Sequence, residues 1–398
     1  MSKKNPKILI IGTGSLLNYG CEAIVRGTYE ILKAHMPDCR IFVASDDLDY
    51  DRRILPEDIE LVTYKRRFSP YRIFKGILRR VFHIGNGSAV RMNTNIGKKY
   101  DIVLSAGGDN YCEAPDGSLY FLLLDLMTIG RKAHKKGKKY ILWGASVGPF
   151  SEQNENIVIK NLGLTDAICT REELSYNYLS RFSETKAQTH LVADPAFCMR
   201  PVPYEDFKRE EGKTYIGLNF SILAIAHAKI DDMSIFIKEF AKLCDAYLEN
   251  HPQTVFVLIP HVQQTGAQDD YTALEPFMAN INHKEQCLLI PKGIGSAKTK
   301  GLVSKLDLLI AARMHCCVAG ISTATPTLFI AYSNKGRGMA EYAYGHHEYE
   351  IEVRDMISDK MVEKLDMMLE KKADIKAHLE QQQERFMAEA MEAGNYLL

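Results

Sequence analysis

The chain has 398 residues, 46% of them apolar and 25% charged, and its 50 lysines and arginines are balanced by 50 aspartates and glutamates. That length suits two domains with full hydrophobic cores, and the balance excludes the basic footprint of a general nucleic-acid binder. The apolar run in MSKKNPKILIIG is too short for a signal-peptide core and no run approaches the ~18 residues of a membrane span, so a cytoplasmic location is expected.

In chain order, residues 7–14 read as a buried strand ending in a glycine turn, and 21–36 as a helix. Strands follow at 40–45, 59–65, 101–108, 140–146, 167–171 and 190–197, rich in Val, Ile and Leu and without strict alternation. Such runs mark strands buried on both faces, hence a parallel sheet covered by helices. At 199–213 two prolines and a charge run break the series. It resumes with strands at 215–221, 254–261, 287–291, 307–313 and 327–333, and helices at 232–249, 296–306, 315–323 and 359–371. The expected class is α/β: two Rossmann-like domains with parallel sheets facing across a cleft, GT-B-like. The N-terminal domain covers 1–198, a linker 199–213, the C-terminal domain 214–370 and a C-terminal helix 371–398.

Ligands of open parallel sheets bind outside the carboxyl ends of the strands, so the chemistry is sought there. GTGSLLNYGCEA (12–23) is neither a dinucleotide fingerprint nor a P-loop and reads as a strand–loop–helix turn. In GGDNY (107–111), Gly107 and Gly108 admit close approach of a ligand to the backbone, and Asp109 is either a functional carboxylate or a helix cap. Arg171 ends a strand where a helix begins; it is an anion ligand or the partner of Glu172 or Glu173. Arg313 and His315 are two residues apart at another strand end and point to one side if the backbone is extended, with free helix N–H groups beside them. Lys335 and Arg337 follow the next strand, and His261 ends TVFVLIPH (254–261). Several cations near a helix end suit a small polyanion. No metal-ligand cluster is visible. The nine cysteines are odd in number and form no CxxC pair, which predicts free thiols in a reducing compartment.

The succession GTGSLLNYGCEA, SAGGDNY, WGASVGPF, TREELS, VADPAF, IPHVQQ and ARMHCCVAGISTATPTLFIAYSNK, between about residues 7 and 345, resembles the polysaccharide pyruvyl transferase family. The most specific element is Arg313-x-His315, followed by a helix, a proline-started strand and Tyr332-x-x-Lys335. The resemblance implies a GT-B-like fold and phosphoenolpyruvate as donor, without a cofactor. The implied acceptor is a sugar of a surface polysaccharide (exopolysaccharide or capsule) or its lipid-linked precursor. It places Arg313, His315 and Arg171 in the donor site. Ketal formation then needs a trianion site and proton transfer. Lys335 and Arg337 would add to the anion site, His315 would be the general acid, Asp109 the base on the acceptor side, and His261 a further substrate contact. Two departures stand out: Cys21 replaces an aspartate common in relatives, and Glu172 replaces another. The rival is a GT-B glycosyltransferase using a nucleotide sugar. Finally, 64–82 carries seven Lys/Arg and no acidic residue, with Ile73, Phe74, Ile77, Leu78 and Val81 on one helical face. Over 71–82 this is either a peripheral contact with the anionic inner face of a membrane or a packed helix with a solvated basic face.

Overall fold

The computed structural model describes residues 5–63, 67–68, 90–114, 116–264, 269–332 and 334–397. The basic segment 71–82 lies outside them. The chain divides into two compact units: Met1–Leu16 with Ile24–Cys198 and Ala388–Leu398, and Leu17–Ala23 with Met199–Met387.

In the first unit, the nearly continuous apolar runs become β1 (Lys7–Ile11), β2 (Arg40–Ser45), β3 (Glu60–Thr63), β6 (Ile102–Ala106), β7 (Lys139–Ala145), β8 (Ala167–Thr170) and β9 (Thr189–Leu191). They form one parallel sheet in the order β3-β2-β1-β6-β7-β8-β9. A separate antiparallel pair joins β4 (Arg67–Phe68) and β5 (Val90–Arg91). Several polar groups in the core are paired. The indole of Trp143 donates to Thr28 Oγ1 at 2.9 Å, and a hydroxyl chain links Ser105 to Tyr111 at 2.8 Å and Tyr111 to Tyr140 at 3.1 Å. Burial pushes the Tyr111 phenol up to about 12.

In the second unit, β10 (Thr214–Asn219), β11 (Thr254–Leu258), β12 (Cys287–Leu289), β13 (Leu308–Ala311), β14 (Thr327–Ala331) and β15 (Glu350–Glu352) form a parallel sheet in the order β12-β11-β10-β13-β14-β15. The helix Met233–Asn250 starts where Asp232 accepts from the N–H groups of Ser234 and Ile235 at 2.9 and 3.0 Å. Its buried Phe236, Phe240, Cys244 and Tyr247 recur at helical spacing and make one face. Phe220 packs edge-on against Phe240 and Phe277 with centroids 5.3 and 5.7 Å apart.

The class is therefore the expected one, two parallel-sheet α/β units. In each sheet the strand succession reverses once, between β1 and β6 and between β10 and β13. Several elements differ from the sequence reading. The run 190–197 is only a short strand followed by the 3₁₀ turn Pro195–Cys198, and Glu350–Glu352 adds an unexpected edge strand. Leu17–Ala23 belongs with the second unit: Leu17 O accepts from Gln263 N, and Tyr19 N donates to His261 O, each at 2.9 Å. The terminal helix Lys372–Met391 is shared. Gln383 Nε2 donates to Ser322 O at 3.1 Å within the second unit, whereas Glu389 O accepts from Ala193 N at 3.2 Å within the first. Among the described residues no helix is long and apolar enough to cross a membrane.

Candidate functional site

Of the sequence-selected residues, Gly107, Gly108 and Asp109 follow β6, and Arg313 and His315 follow β13, at the points where strand order reverses and parallel sheets open a crevice; Arg171, His261 and Arg337 follow β8, β11 and β14. In the second unit, Asn219 ends β10 and Arg313 follows β13. Asn219 Oδ1 accepts from the backbone N–H of Arg313 at 2.9 Å and so ties the two strand ends together. Arg313 is not two extended residues from His315 as expected. Its own backbone is extended, but it caps the helix Met314–Ser322, and His315 is already in the first turn. The helix begins early because two cysteines, Val318 and Ala319 bury its first turns at once.

Arg313 carries its own counter-charge. Its Nε and Nη2 both donate to Asp270 Oδ1, at 3.0 and 2.7 Å, and Asp270 is fully buried. Asp270 Oδ2 accepts from the backbone N–H groups of His261 and Val262 at 2.8 and 3.0 Å. A buried carboxylate with these donors holds the guanidinium in one orientation. His315 is held from the other side. A β-carbon on Gly20 would overlap His315 Nδ1, so the backbone of Gly20 lies flush on the imidazole. Gly20 is seated by its neighbours: Tyr19 Oη accepts from Gln263 Nε2 at 2.8 Å and Gly295 N at 3.0 Å, and Glu22 Oε2 accepts from Ser296 N at 2.6 Å. His261 is 2% exposed, and neither of its ring nitrogens is hydrogen-bonded. Burial, then His315 and Arg313, hold its imidazole well below the ordinary histidine range, so it is neutral.

In the first unit, Gly12 follows β1, and Gly107, Gly108 and Asp109 follow β6. Asn110 Nδ2 donates to Gly12 O at 2.8 Å and joins these loops. Arg171, after β8, donates from Nη1 to Asp194 at 2.7 Å, from Nη2 to Asp109 at 3.2 Å and from Nε to Ser146 Oγ at 3.1 Å. Gly108 is where the guanidinium passes; a β-carbon there would overlap it. Arg171 is buried, while the Asp109 side chain is 63% exposed. Arg337, in the helix Asn334–Tyr344, pairs with Glu352 and, at 3.5 Å, with Glu350. It lines a half-open cavity of about 270 Å³ with His227, Tyr332 and Arg354. Lys335 opens the same helix, and its side chain lies outside the described residues.

Each of the three arginines thus meets a carboxylate of the protein itself. Asp270, Asn219, Tyr19 and Glu22 had not been singled out from the sequence. Asn219 and Asp270 were legible as a polar strand end and an aspartate before a helix, but only the sheet order gives them a role. All nine cysteines are free thiols. Among the described residues no group of three His, Cys, Asp or Glu side chains could hold a metal ion.

Comparison with known proteins sets this geometry in context. The family described as polysaccharide pyruvyl transferase matches residues 18–334. Among curated proteins, the amylovoran biosynthesis protein AmsJ of Erwinia amylovora is 22% identical over 415 residues, covering 98% of this chain and 97% of AmsJ. Among solved structures, the Neisseria meningitidis UDP-GlcNAc 2-epimerase bound to UDP-GlcNAc is similar with a TM-score of 0.55 at 14% identity, covering 94% of each chain. Anabaena Alr3699/HepE in complex with UDP and glucose gives 0.54 at 10% identity, over 98% of this chain and 97% of that one. At such identities these two likenesses concern the fold.

Proposed function

Because the chain belongs to the polysaccharide pyruvyl transferase family, we propose that it forms a pyruvate ketal on a sugar of a surface polysaccharide or its precursor, with phosphoenolpyruvate as donor. The observation that carries this reading is the pairing of Arg313 and His315 at the strand-order reversal of the second unit, with Arg313 oriented by the buried Asp270. Family membership and the likeness to an amylovoran biosynthesis protein support a polysaccharide product.

The donor is a trianion and its methylene carbon must be protonated before a sugar hydroxyl attacks. Arg313 brings a guanidinium already oriented by Asp270, so its orientation costs nothing at the moment of binding. Its charge is shared with Asp270, so Lys335 and the first-turn N–H groups of the helix Met314–Ser322 complete the anion site. His315, in that first turn, is the general acid for the methylene carbon. Arg171 belongs to the same proposal as a donor-site cation, Asp109 as the base on the acceptor side, and Arg337 as a further substrate-binding cation.

The decisive experiment incubates the protein with phosphoenolpyruvate and a panel of nucleotide-linked and polyprenyl-linked sugars and measures phosphate release. Acceptor-dependent release with a ketal product is the expected result. Cleavage of a nucleotide sugar without any use of phosphoenolpyruvate would establish a glycosyltransferase instead. For a polyprenyl-linked acceptor, the basic segment 71–82 would bring a cytoplasmic enzyme to the membrane surface, where each basic residue contributes ~1 kcal/mol. Wild type should then pellet with anionic vesicles at low salt, and a variant with Arg72, Lys75, Arg79 and Arg80 changed to Gln should not. Equal, negligible pelleting of both would leave nucleotide-linked acceptors.

A further inference from the structure

Arg337 enters this scheme only as a cation, yet the cavity it lines is balanced in charge. The cavity opens at two neighbouring strand ends of the second unit, where Ala331 of β14 pairs with Glu352 of β15 and Tyr332 follows Ala331. Its third wall is the end of the helix Ile222–His227. The guanidinium of Arg337 pairs with Glu352 and, at 3.5 Å, with Glu350. Arg354 donates from Nε and Nη2 to Ala228 O at 3.1 and 2.8 Å, and from Nη2 to Lys229 O at 3.2 Å. Among the described residues, two guanidinium groups are thus matched by two carboxylates and two backbone carbonyls. An anion gains no net attraction there, and a cation would meet both guanidinium groups. An apolar ligand would strip water from these charges and return no hydrogen bond. A neutral polyhydroxyl ring meets every condition. Glu352 Oε2 remains as an acceptor and Arg354 Nη1 as a donor, neither hydrogen-bonded to the described residues. The rings of Tyr332 and His227, tilted with centroids 5.6 Å apart, offer apolar surface to the C–H face of a sugar. The volume of about 270 Å³ falls below the ~300–1,000 Å³ of pockets for drug-sized ligands, so it takes one ring rather than a nucleotide sugar.

We propose that this cavity is a subsite for one neutral sugar residue of the acceptor and that it discriminates against acidic sugars. That the bound sugar is an acceptor rests on the pyruvyl-transfer reading; that the cavity takes a neutral sugar does not. Arg313 follows β13, the neighbour of β14, and adjacent strands lie ~4.8 Å apart. The cavity therefore lies one to two strand spacings from Arg313, within reach of a single acceptor molecule. Glu352 and Arg354 hold the ring through its hydroxyls, and Tyr332 supports its face. A uronic acid would set its carboxylate against that of Glu352 and would lose hydration without a net charge partner. Binding energy collected on such a ring, away from the reacting atoms, serves to position the hydroxyls that do react.

The test measures binding by saturation-transfer NMR, without phosphoenolpyruvate, to full-length wild type, Tyr332→Ala and Glu352→Gln. The probes are the methyl glycosides of glucose, galactose and mannose, methyl glucuronide as their acidic counterpart, and inorganic pyrophosphate. At least one neutral glycoside should bind wild type with a Kd on the order of 1–10 mM, as expected of a single ring, and the glucuronide about tenfold or more weakly. Tyr332→Ala should weaken the neutral glycoside about tenfold. Glu352→Gln should weaken it too but strengthen the glucuronide, because the cavity then carries net positive charge. That gain cannot arise from unfolding, and thermal melting checks the fold of both variants. Pyrophosphate or glucuronide binding wild type more tightly than every neutral glycoside would make the cavity an anion site and overturn the proposal. So would the absence of neutral-glycoside binding, or binding that neither variant alters. Phosphate release from phosphoenolpyruvate alongside any of these failures would leave the pyruvyl-transfer reading standing. Neutral-glycoside binding lost in both variants, by a wild type that releases no phosphate with any acceptor, would overturn that reading and leave the sugar site.

Discussion

Arg313 and Asp270 form a buried pair, with side chains 12% and 0% exposed. Removing one member of such a pair strands the other, which costs ~3–5 kcal/mol. Arg313→Ala should therefore lower the denaturant midpoint markedly as well as abolish turnover. If the single variant kept wild-type stability, the pair would not carry the orientation ascribed to it. Gly20 makes the opposite prediction. Gly20 lies in the first turn of the helix Tyr19–His35, where alanine is the better helix former, but an alanine β-carbon would displace the His315 ring. Gly20→Ala should melt no lower than wild type yet lose about 100-fold in rate, the scale of an ångström-sized misplacement. Asp51 sets a pH dependence. It is buried, and its carboxyl is raised to about 6, first by burial, opposed by the Ser45 hydroxyl, and then by Asp47 and Asp46. A carboxyl raised in the folded state is kept protonated by folding, so stability falls as pH rises from the unfolded value of 3.8 and the penalty is complete above about 6. Asp51→Asn should stabilise the protein at neutral pH by ~1–3 kcal/mol, with the gain vanishing in denaturant titrations below about pH 4.

The elements differ in how far the sequence discloses them. The buried strands were legible because parallel sheets covered on both faces demand unbroken Val, Ile and Leu; β1, β2, β10 and β13 are of this kind. Glu350–Glu352 was not, since three residues at a sheet edge flanked by glutamates carry no such run. The helix Tyr271–Asn280 was hidden by its internal Pro276. The Arg313–His315 site was legible as residue types at a strand end, but Asp270 was not, because its link to Arg313 spans 43 positions and exists only once β10, β11 and β13 stand side by side. One cap tests the local reading: Asp232→Ala removes the acceptor for two N–H groups of the helix Met233–Asn250 and should cost ~1 kcal/mol by chemical denaturation. An unchanged midpoint would mean that the helix is held by its buried face alone.

Over the whole molecule, charge is balanced and none of the nine cysteines is bridged to another. The chain crosses between its units four times: Leu17–Ala23 enters the second unit long before the rest of that unit, and Ala388–Leu398 returns to the first. The early excursion of Leu17–Ala23 has a consequence for synthesis on the ribosome. Tyr19 must await Gln263, 244 positions later, and Glu22 must await Ser296, 274 positions later. At ~5–20 residues per second this delay is roughly 10 to 50 s. Throughout it a tyrosine and a glutamate destined for full burial stand exposed on the nascent chain. The segment that seats His315 is therefore among the earliest translated and among the last to be closed, so the nascent protein is complete in its first sheet well before His315 can be held in place.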